Sequence, residues 1–263
     1  MSDKAVVVGG GRIGSLLRSL GPSVLMTREG WPKDAPEEGP IYVCTRNDAL
    51  EEVIEATPED RRKDLVFLQN GWLLPFLEEK GMADASQALI YFAVAKQGDM
   101  PIDGVTDLNP EGLTTATGKW ARALQSRLAA ANLTCLVKEG DDFLKAALEK
   151  HIWICAFMVV GASHNGCTVG EVLEKHEAEF DTLANQLAKA GEQKLKITLD
   201  SNYLARLKAY GKAVAHFPTA VKEFQWRNGW FYQISVDAIK AGLDDPVPMH
   251  TSLLYKLKLP LPL

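Results

Sequence analysis

The sequence predicts a chain of two parts, an α/β part over residues 1–139 and a smaller all-α part over residues 140–263. Three observations predict this division. In the first part, short apolar runs alternate with helix-like segments, a pattern typical of a parallel sheet covered by helices on both faces. From Asp141 onward, almost every segment has helical periodicity instead. A glycine-rich turn also separates the first predicted strand from the first predicted helix.

The predicted strands of the first part are apolar, often β-branched runs bounded by turn residues. They cover residues 5–8, 23–26, 41–44, 65–68, 88–95, 112–117 and 133–138. Helices are predicted between them over 13–20, 48–55, 73–79 and 120–131, and Asn47 is expected to cap the second of these. In the second part, helices are predicted over 141–162, 169–196, 201–215, 224–241 and 251–257.

The first part carries the turn Gly9-Gly10-Gly11-Arg12-Ile13-Gly14, whose glycines follow the pattern G-x-G-x-x-G at a strand-to-helix junction. Gly9 permits the tight turn, Gly11 lets a pyrophosphate approach the backbone, and Gly14 lets the helix pack closely on the strand. The free N–H groups of the helix N-terminus favour the same anion. The sequence therefore predicts a Rossmann-type dinucleotide-binding domain with cofactor contacts along this turn. A glycine turn without a nucleotide is the alternative.

The end of the second predicted strand indicates which dinucleotide binds. An NAD site usually places an acidic residue there to hold the ribose 2′-hydroxyl. Here Thr27 and Arg28 stand at that place, and a guanidinium matches a 2′-phosphate in charge and in geometry. NADP is the predicted cofactor, with Thr27 and Arg28 among its contacts. An NAD site in which Glu29 takes the acidic role is the alternative.

Composition excludes several classes of protein. A formal charge of -5 argues against a broad nucleic-acid surface, and the longest apolar stretch, 152–162, is too short to span a membrane. The first strand begins near the start of the chain, so we expect no targeting peptide and a cytoplasmic location. The four cysteines form no C-x-x-C pair, and His151, His164 and His176 show no zinc-site spacing with them. No metal site is predicted.

Four features follow one another in a recognisable order: the glycine turn, Arg28, Gln69-Asn70-Gly71, and Lys150 within Leu148-Glu149-Lys150-His151-Ile152-Trp153-Ile154-Cys155. With the later Gly170-Glu171-Val172, this order resembles the ketopantoate reductase family. The resemblance implies an NADP-linked reductase of a 2-oxo acid or another small carbonyl compound. It implies that Asn70 lies by the nicotinamide and the substrate, and that Lys150 is the catalytic lysine. A homodimer formed through the helical part is a further hypothesis for the partner of this chain.

The chain also departs from that family. The family usually carries asparagines one and two helical turns after the lysine, where this chain has Ile154 and Met158. Thr219 stands in place of a substrate-binding serine, and Asn165 is a further candidate substrate contact. No glutamate aligns in the stretch 227–231. An apolar pocket would leave polar groups of ketopantoate unmatched, so ketopantoate itself is not the expected substrate.

Lys150 has two interpretations. It directly precedes an apolar run, so burial is expected to lower its pKa, and an ammonium group can stabilise and then protonate a developing alkoxide. Alternatively, it is a solvated lysine beside Glu149, exchangeable with Lys145. The function hypotheses are accordingly an NADP-dependent oxidoreductase, a non-catalytic NADP(H)-binding sensor or scaffold, and an interaction protein.

Overall fold

The computed structural model describes residues 4–259 and 261. They divide into two compact units. The first holds the residues up to Val105 together with Asn109–Phe143, and the second holds Thr106–Leu108 and the chain from Leu144 onward. The predicted domains, 1–139 and 140–263, begin and end on residues outside the description, which omits 1–3, 260, 262 and 263. Their boundary stays a prediction.

A seven-stranded sheet forms the first unit, with strand order β2-β1-β3-β4-β5-β6-β7. The strands are β1 (Ala5–Val8), β2 (Ser23–Met26), β3 (Ile41–Val43), β4 (Leu65–Phe67), β5 (Ser86–Leu89), β6 (Thr115–Thr117) and β7 (Leu136–Val137). Every residue of β1, β3 and β4 is buried, which explains why these strands consist entirely of apolar residues.

The expectation of a wholly parallel sheet is wrong at one pair, because β6 runs antiparallel to β5, with Gln87 opposite Thr117. Parallel neighbours need a crossover connection, usually a helix. Residues 90–114 contain no helix, and they fold back through an antiparallel bridge between Ala93 and Ile102. The predicted strand 88–95 therefore shifts to Ser86–Leu89, and its second half leaves the sheet.

Four helices accompany the sheet: α1 (Arg12–Ser19), α2 (Leu50–Ala56), α3 (Leu74–Glu79) and α4 (Ala121–Ala129). Their apolar faces are buried, and Leu17, Leu77 and Leu124 are fully inaccessible to solvent. Asn47 does not cap α2. It begins a short 3-10 turn, and its side-chain amide donates to the carbonyl of Asn70, 2.8 Å away.

The helices that follow are α5 (Gly140–Ser163), α6 (Val169–Lys175), α7 (Glu177–Leu195), α8 (Tyr203–Ala213), α9 (Asn228–Lys240) and α10 (Pro248–Lys256). The single helix predicted over 169–196 is two helices that meet at His176. Aromatic rings fill the core of the second unit, where Phe157 and Phe180 lie 4.0 Å apart between ring centroids. Among the described residues, no helix combines the length and the apolar character needed to cross a membrane.

Candidate functional site

The glycine turn connects the end of β1 to the start of α1, and two of its glycines are required by geometry. Gly9 has a φ of 91°, in the left-handed region that favours glycine. A Cβ on Gly14 would lie 1.9 Å from the carbonyl oxygen of Gly9, so no side chain fits there. Gly11 differs, because its backbone is extended and no atom lies within 4 Å of the position of a Cβ. The turn therefore presents open space at Gly11, directly before the helix N-terminus.

Arg12 and Ile13 complete the turn, but their side chains serve the fold. The Arg12 guanidinium donates to the carbonyls of Val94 and Ala95, at 3.0 and 3.2 Å. Ile13 packs against the core cluster of the first unit. Gln97, which the sequence did not single out, donates to the hydroxyl of Ser15 at 2.7 Å. The segment after β5 therefore lies beside the start of α1. Because both side chains are engaged in the fold, the contribution of Arg12 and Ile13 to the glycine turn is limited to their backbone N–H groups.

A cavity of about 660 Å³ opens at the carboxyl ends of β1, β2 and β3. Because β2 and β3 lie on opposite sides of β1, this edge is the topological switch point of the sheet, where ligands of such folds bind. The cavity brings together four predicted cofactor residues, which are Gly9, Gly10, Thr27 and Arg28. Its other lining residues are Val8, Met26, Gly30, Thr45, Arg46, Asp48, Ala49, Glu52, Val53 and Ala56.

Charged side chains of both signs line this cavity. Arg28 is exposed and makes no ion pair with any described residue. Arg46, which sequence reasoning missed, pairs with Asp48 at 2.6 Å. Arg46 lies three residues after the end of β3, and the shared sheet edge is the signal that places it in the same cavity as Arg28. Glu29 is not among the lining residues, so the acidic alternative drawn from the sequence lacks geometric support.

Asn70 follows β4, and its side chain is exposed. Two buried amides fix the loop that carries it. Asn47 donates to the Asn70 carbonyl, and the side-chain amide of Gln69 donates to the carbonyls of Val43 and Thr45, at 2.9 and 3.1 Å. These bonds join the loops after β3 and β4, so Asn70 is held at the same edge of the sheet as the glycine turn.

Lys150 lies in the middle of α5, and only 7% of it is exposed. Burial, together with the positive charge of Arg227, lowers the pKa of Lys150 to about 7. Glu149 does not neutralise it, since the Glu149 carboxylate is engaged by two guanidinium nitrogens of Arg206, at 2.9 and 2.6 Å. The interpretation of Lys150 as a solvated lysine beside Glu149 is therefore wrong.

Arg227 is the second cation of this cluster, and no pattern in the sequence marks it as a candidate site residue. It stands just before α9, with 16% of its side chain exposed. One terminal nitrogen donates to Glu223 at 2.6 Å, while the buried Nε has no hydrogen-bond partner among the described residues. Glu223 lies in a left-handed backbone conformation, with a φ of 46°. Arg227 thus places a second positive charge near Lys150, and one of its buried donors remains available.

The aromatic and sulfur groups next to Lys150 are packing residues. His151 stacks on Phe231, with ring centroids 5.2 Å apart, and meets Trp230 edge-on at 5.6 Å. Burial lowers the pKa of His151 to about 3, which keeps its imidazole neutral. Burial also raises the pKa of the Cys155 thiol well above its usual range, so this cysteine is not a nucleophile.

The two candidate substrate contacts, Thr219 and Asn165, lie toward the C-terminal end of α5. Thr219 packs against Gly161, where a Cβ would come within 2.2 Å of the threonine hydroxyl, and that hydroxyl donates to the carbonyl of Cys167 at 2.5 Å. Gly161 lies about 16 Å along the helix from Lys150, at about 1.5 Å per residue. Asn165 is exposed beyond the end of α5. The structure therefore does not bring Thr219 and Asn165 to Lys150.

No family model matches this sequence, and no curated protein matches it. Solved structures match over nearly the whole chain. A PanE/ApbA family ketopantoate reductase from Ralstonia eutropha JMP134 is 14% identical, with a TM-score of 0.68 over 97% of this chain and 98% of that one. A dimeric ketopantoate reductase from Staphylococcus aureus is 16% identical, with a TM-score of 0.64 over 97% and 99%. D-mandelate dehydrogenase in complex with NADH is 15% identical, with a TM-score of 0.68 over 97% of both chains.

The architecture is therefore a Rossmann-like α/β domain followed by an all-helical domain. Over nearly its whole length, this chain has the fold of the ketopantoate reductases. TM-scores of 0.64–0.68 establish that common fold, and identities of 14–16% leave the chemistry to be argued from the residues of this chain.

Proposed function

We propose that this protein is an NADP-dependent oxidoreductase that interconverts a small 2-oxo acid with an apolar side chain and the corresponding 2-hydroxy acid. The observation that carries the proposal is a buried lysine, Lys150, whose pKa lies at about 7, within the electrostatic influence of Arg227. The fold shared with ketopantoate reductases and with D-mandelate dehydrogenase supports the same class of reaction.

The residues at the switch point fit a dinucleotide. The open space at Gly11 is the place that a side chain would fill and that a pyrophosphate needs, and a cavity of about 660 Å³ adjoins the turn. Arg28 lines this cavity as a cation without an ion-pair partner among the described residues, which favours a 2′-phosphate over a 2′-hydroxyl. When bound, the nicotinamide supplies or accepts the hydride.

Lys150 is the proposed proton donor in reduction. As the carbonyl becomes an alkoxide, negative charge grows on its oxygen, and an ammonium group in a low-dielectric setting stabilises that charge strongly. A pKa of about 7 means that the protonated and neutral forms of Lys150 coexist near neutral pH. A general acid is most effective when its pKa lies near the working pH, and the same side chain can then accept the proton in the reverse direction.

Arg227 is the proposed anchor for the substrate carboxylate. Its Nε is buried without a partner among the described residues, and its charge lowers the pKa of Lys150. A carboxylate bound at this guanidinium would satisfy the donor and offset the repulsion between the two cations. Ile154 and Met158 follow Lys150 at helical spacing, so the same face of α5 continues as an apolar surface. This surface suits an apolar substrate side chain.

A panel of 2-oxo acids with aliphatic and aromatic side chains, assayed with NADPH, tests the proposal. We expect loss of nicotinamide absorbance with at least one of them. Lys150→Met should lower kcat by about 10²–10⁴-fold while leaving NADPH affinity unchanged. Lys145→Met, on the same helix but only partly buried, is the matched control and should be silent.

Arg227→Gln distinguishes the anchor from the proton donor. We expect it to raise KM for a 2-oxo acid by about tenfold or more and to leave unchanged the KM for an aldehyde of the same side chain, which lacks the carboxylate. NADPH binding without reduction of any member of the panel would instead favour a non-catalytic sensor.

A further inference from the structure

Three side chains with metal-binding atoms converge in the second unit, outside the cluster of Lys150 and Arg227. They are His164, His176 and Glu179, and one ligand atom from each lies within 4.8 Å of the others. The Nε2 atom of His164 lies 2.6 Å from a carboxylate oxygen of Glu179. The two imidazole rings are stacked, with centroids 3.6 Å apart and an angle of 12° between their planes.

Well-defined helix ends position these residues. His164 directly follows α5, whose end is closed by Gly166 donating to the carbonyl of Gly161. His176 is the residue between α6 and α7, and its N–H donates to the carbonyl of Val172. Glu179 lies in the first turn of α7, three residues after His176, so both side chains project from the same side of the chain. Because His164 and His176 are twelve residues apart, their spacing did not predict a metal site.

The carboxylate of Glu179 is available to this cluster. Its acidic neighbours on α7, Glu177 and Asp181, both accept from Lys208, at 2.9 and 3.1 Å. Glu179 pairs only with His164 among the ion pairs of the described residues, and about a quarter of its side chain is exposed. The cluster therefore combines two imidazoles and one carboxylate at a site that solvent reaches.

Two imidazoles and one carboxylate are a donor set that suits zinc. Zinc commonly takes His and Asp or Glu ligands, and sites with three protein ligands keep a fourth position for water. Ligand atoms around a tetrahedral zinc lie about 3.4 Å apart, given metal–ligand distances of about 2.0–2.2 Å. The separations here, from 2.6 Å to at most 4.8 Å, bracket that value. Calcium and magnesium prefer oxygen ligands alone, so they match this cluster poorly.

We propose that His164, His176 and Glu179 bind one Zn²⁺ ion with an open fourth position, joining the end of α5 to the junction of α6 and α7. This site is independent of the proposed oxidoreductase function, since it shares no residue with the cofactor cavity or with the Lys150 cluster.

The test uses the full chain without an affinity tag, stripped with a chelator and titrated with Zn²⁺ by calorimetry. We expect one equivalent to bind and the Tm to rise, because an ion that binds only the folded state stabilises it. His164→Gln, His176→Gln and Glu179→Gln should each weaken binding at least tenfold. His216→Gln is the matched control, since His216 is an exposed histidine outside the cluster, and it should bind Zn²⁺ like the wild type.

Cys167→Ser is a second control, because this partly exposed thiol lies three residues from His164. Binding that survives His176→Gln, or that disappears equally in His216→Gln or Cys167→Ser, would overturn the proposal. Should a cluster variant fail to fold, Co²⁺ added to the wild type gives an independent measurement. Visible bands of a tetrahedral ion without a thiolate charge-transfer band support the site, and the absence of such bands overturns it.

Discussion

Replacing Lys150 with methionine tests the energetic premise of the active-site proposal before any substrate is known. Methionine keeps much of the length of the lysine and removes its charge. In the folded chain the pKa of Lys150 is about 7, against an ordinary value of 10.5. A basic group whose pKa falls on folding destabilises the protein fully below the folded pKa, and this penalty disappears as the pH rises to the unfolded pKa.

The magnitude follows from that pKa difference at about 1.4 kcal/mol per unit. At about pH 7 the lysine should cost the wild type about 4 kcal/mol of folding free energy, and at about pH 9 roughly 2 kcal/mol. The stability advantage of Lys150→Met should therefore shrink by about 2 kcal/mol between these two pH values. Contributions from other titrating groups cancel, because only the difference between variant and wild type is used.

Urea unfolding of the wild type, Lys150→Met and Lys145→Met at several pH values gives these differences, provided that the m-values agree. Lys145 is only partly buried, so its variant should run parallel to the wild type over the whole range. A difference between Lys150→Met and the wild type that stays constant from pH 7 to pH 9 would refute the reasoning. It would mean that Lys150 keeps its ordinary pKa and is protonated at neutral pH.

Three further predictions concern the cavity lined by Arg28 and the adjoining glycine turn. Arg28→Gln should weaken NADPH binding by about ten- to a hundredfold and leave NADH binding unchanged. Arg18→Gln, on the exposed side of α1, is the control and should alter the binding of neither cofactor. Titration of each protein with both cofactors measures these affinities. Gly11→Ala should leave the free energy of unfolding within about 0.5 kcal/mol of the wild type, because its methyl group enters open space. The same methyl group would occupy the space that a pyrophosphate needs, so binding of both NADPH and NADH should weaken. Gly14→Ala should instead lower the free energy of unfolding by about 1–3 kcal/mol, since its methyl group would collide with the Gly9 carbonyl.

Local requirements made much of the first unit predictable. The strands β1 to β4 agree with the predicted segments to within one residue, because a strand buried on both faces must be apolar throughout. The glycine turn was predictable for a similar reason, since Gly14 has no alternative where a Cβ would lie 1.9 Å from a backbone oxygen. The antiparallel direction of β6 could not be predicted in the same way. The direction of a strand depends on how the chain returns to the sheet, and the three residues of β6 carry no sequence pattern that encodes it.

The candidate sites show the same contrast between local and long-range determinants. The burial of Lys150 was expected from the apolar run that follows it. Its partner Arg227 lies 77 positions further along the chain, and no local pattern connects the two. The same holds for His164 and His176, whose stacking depends on how the ends of α5 and α6 pack. Sequence patterns identified single residues here, whereas the pairings required the fold.

The final prediction compares the pKa of Lys150 obtained from unfolding measurements with the pKa obtained from the pH dependence of catalysis. If Lys150 donates in reduction, kcat/KM should fall as the pH rises through about 7, because kcat/KM reports the pKa of the free enzyme. Unfolding measurements report the pKa of the same group in the same state, so the two values should agree.

A substrate carboxylate bound at Arg227 adds negative charge near the ammonium, and the pKa seen in kcat should lie higher. In Arg227→Gln, loss of the guanidinium charge should raise the pKa obtained by both methods. A kinetic pKa that stays fixed while the unfolding pKa moves would show that another group delivers the proton.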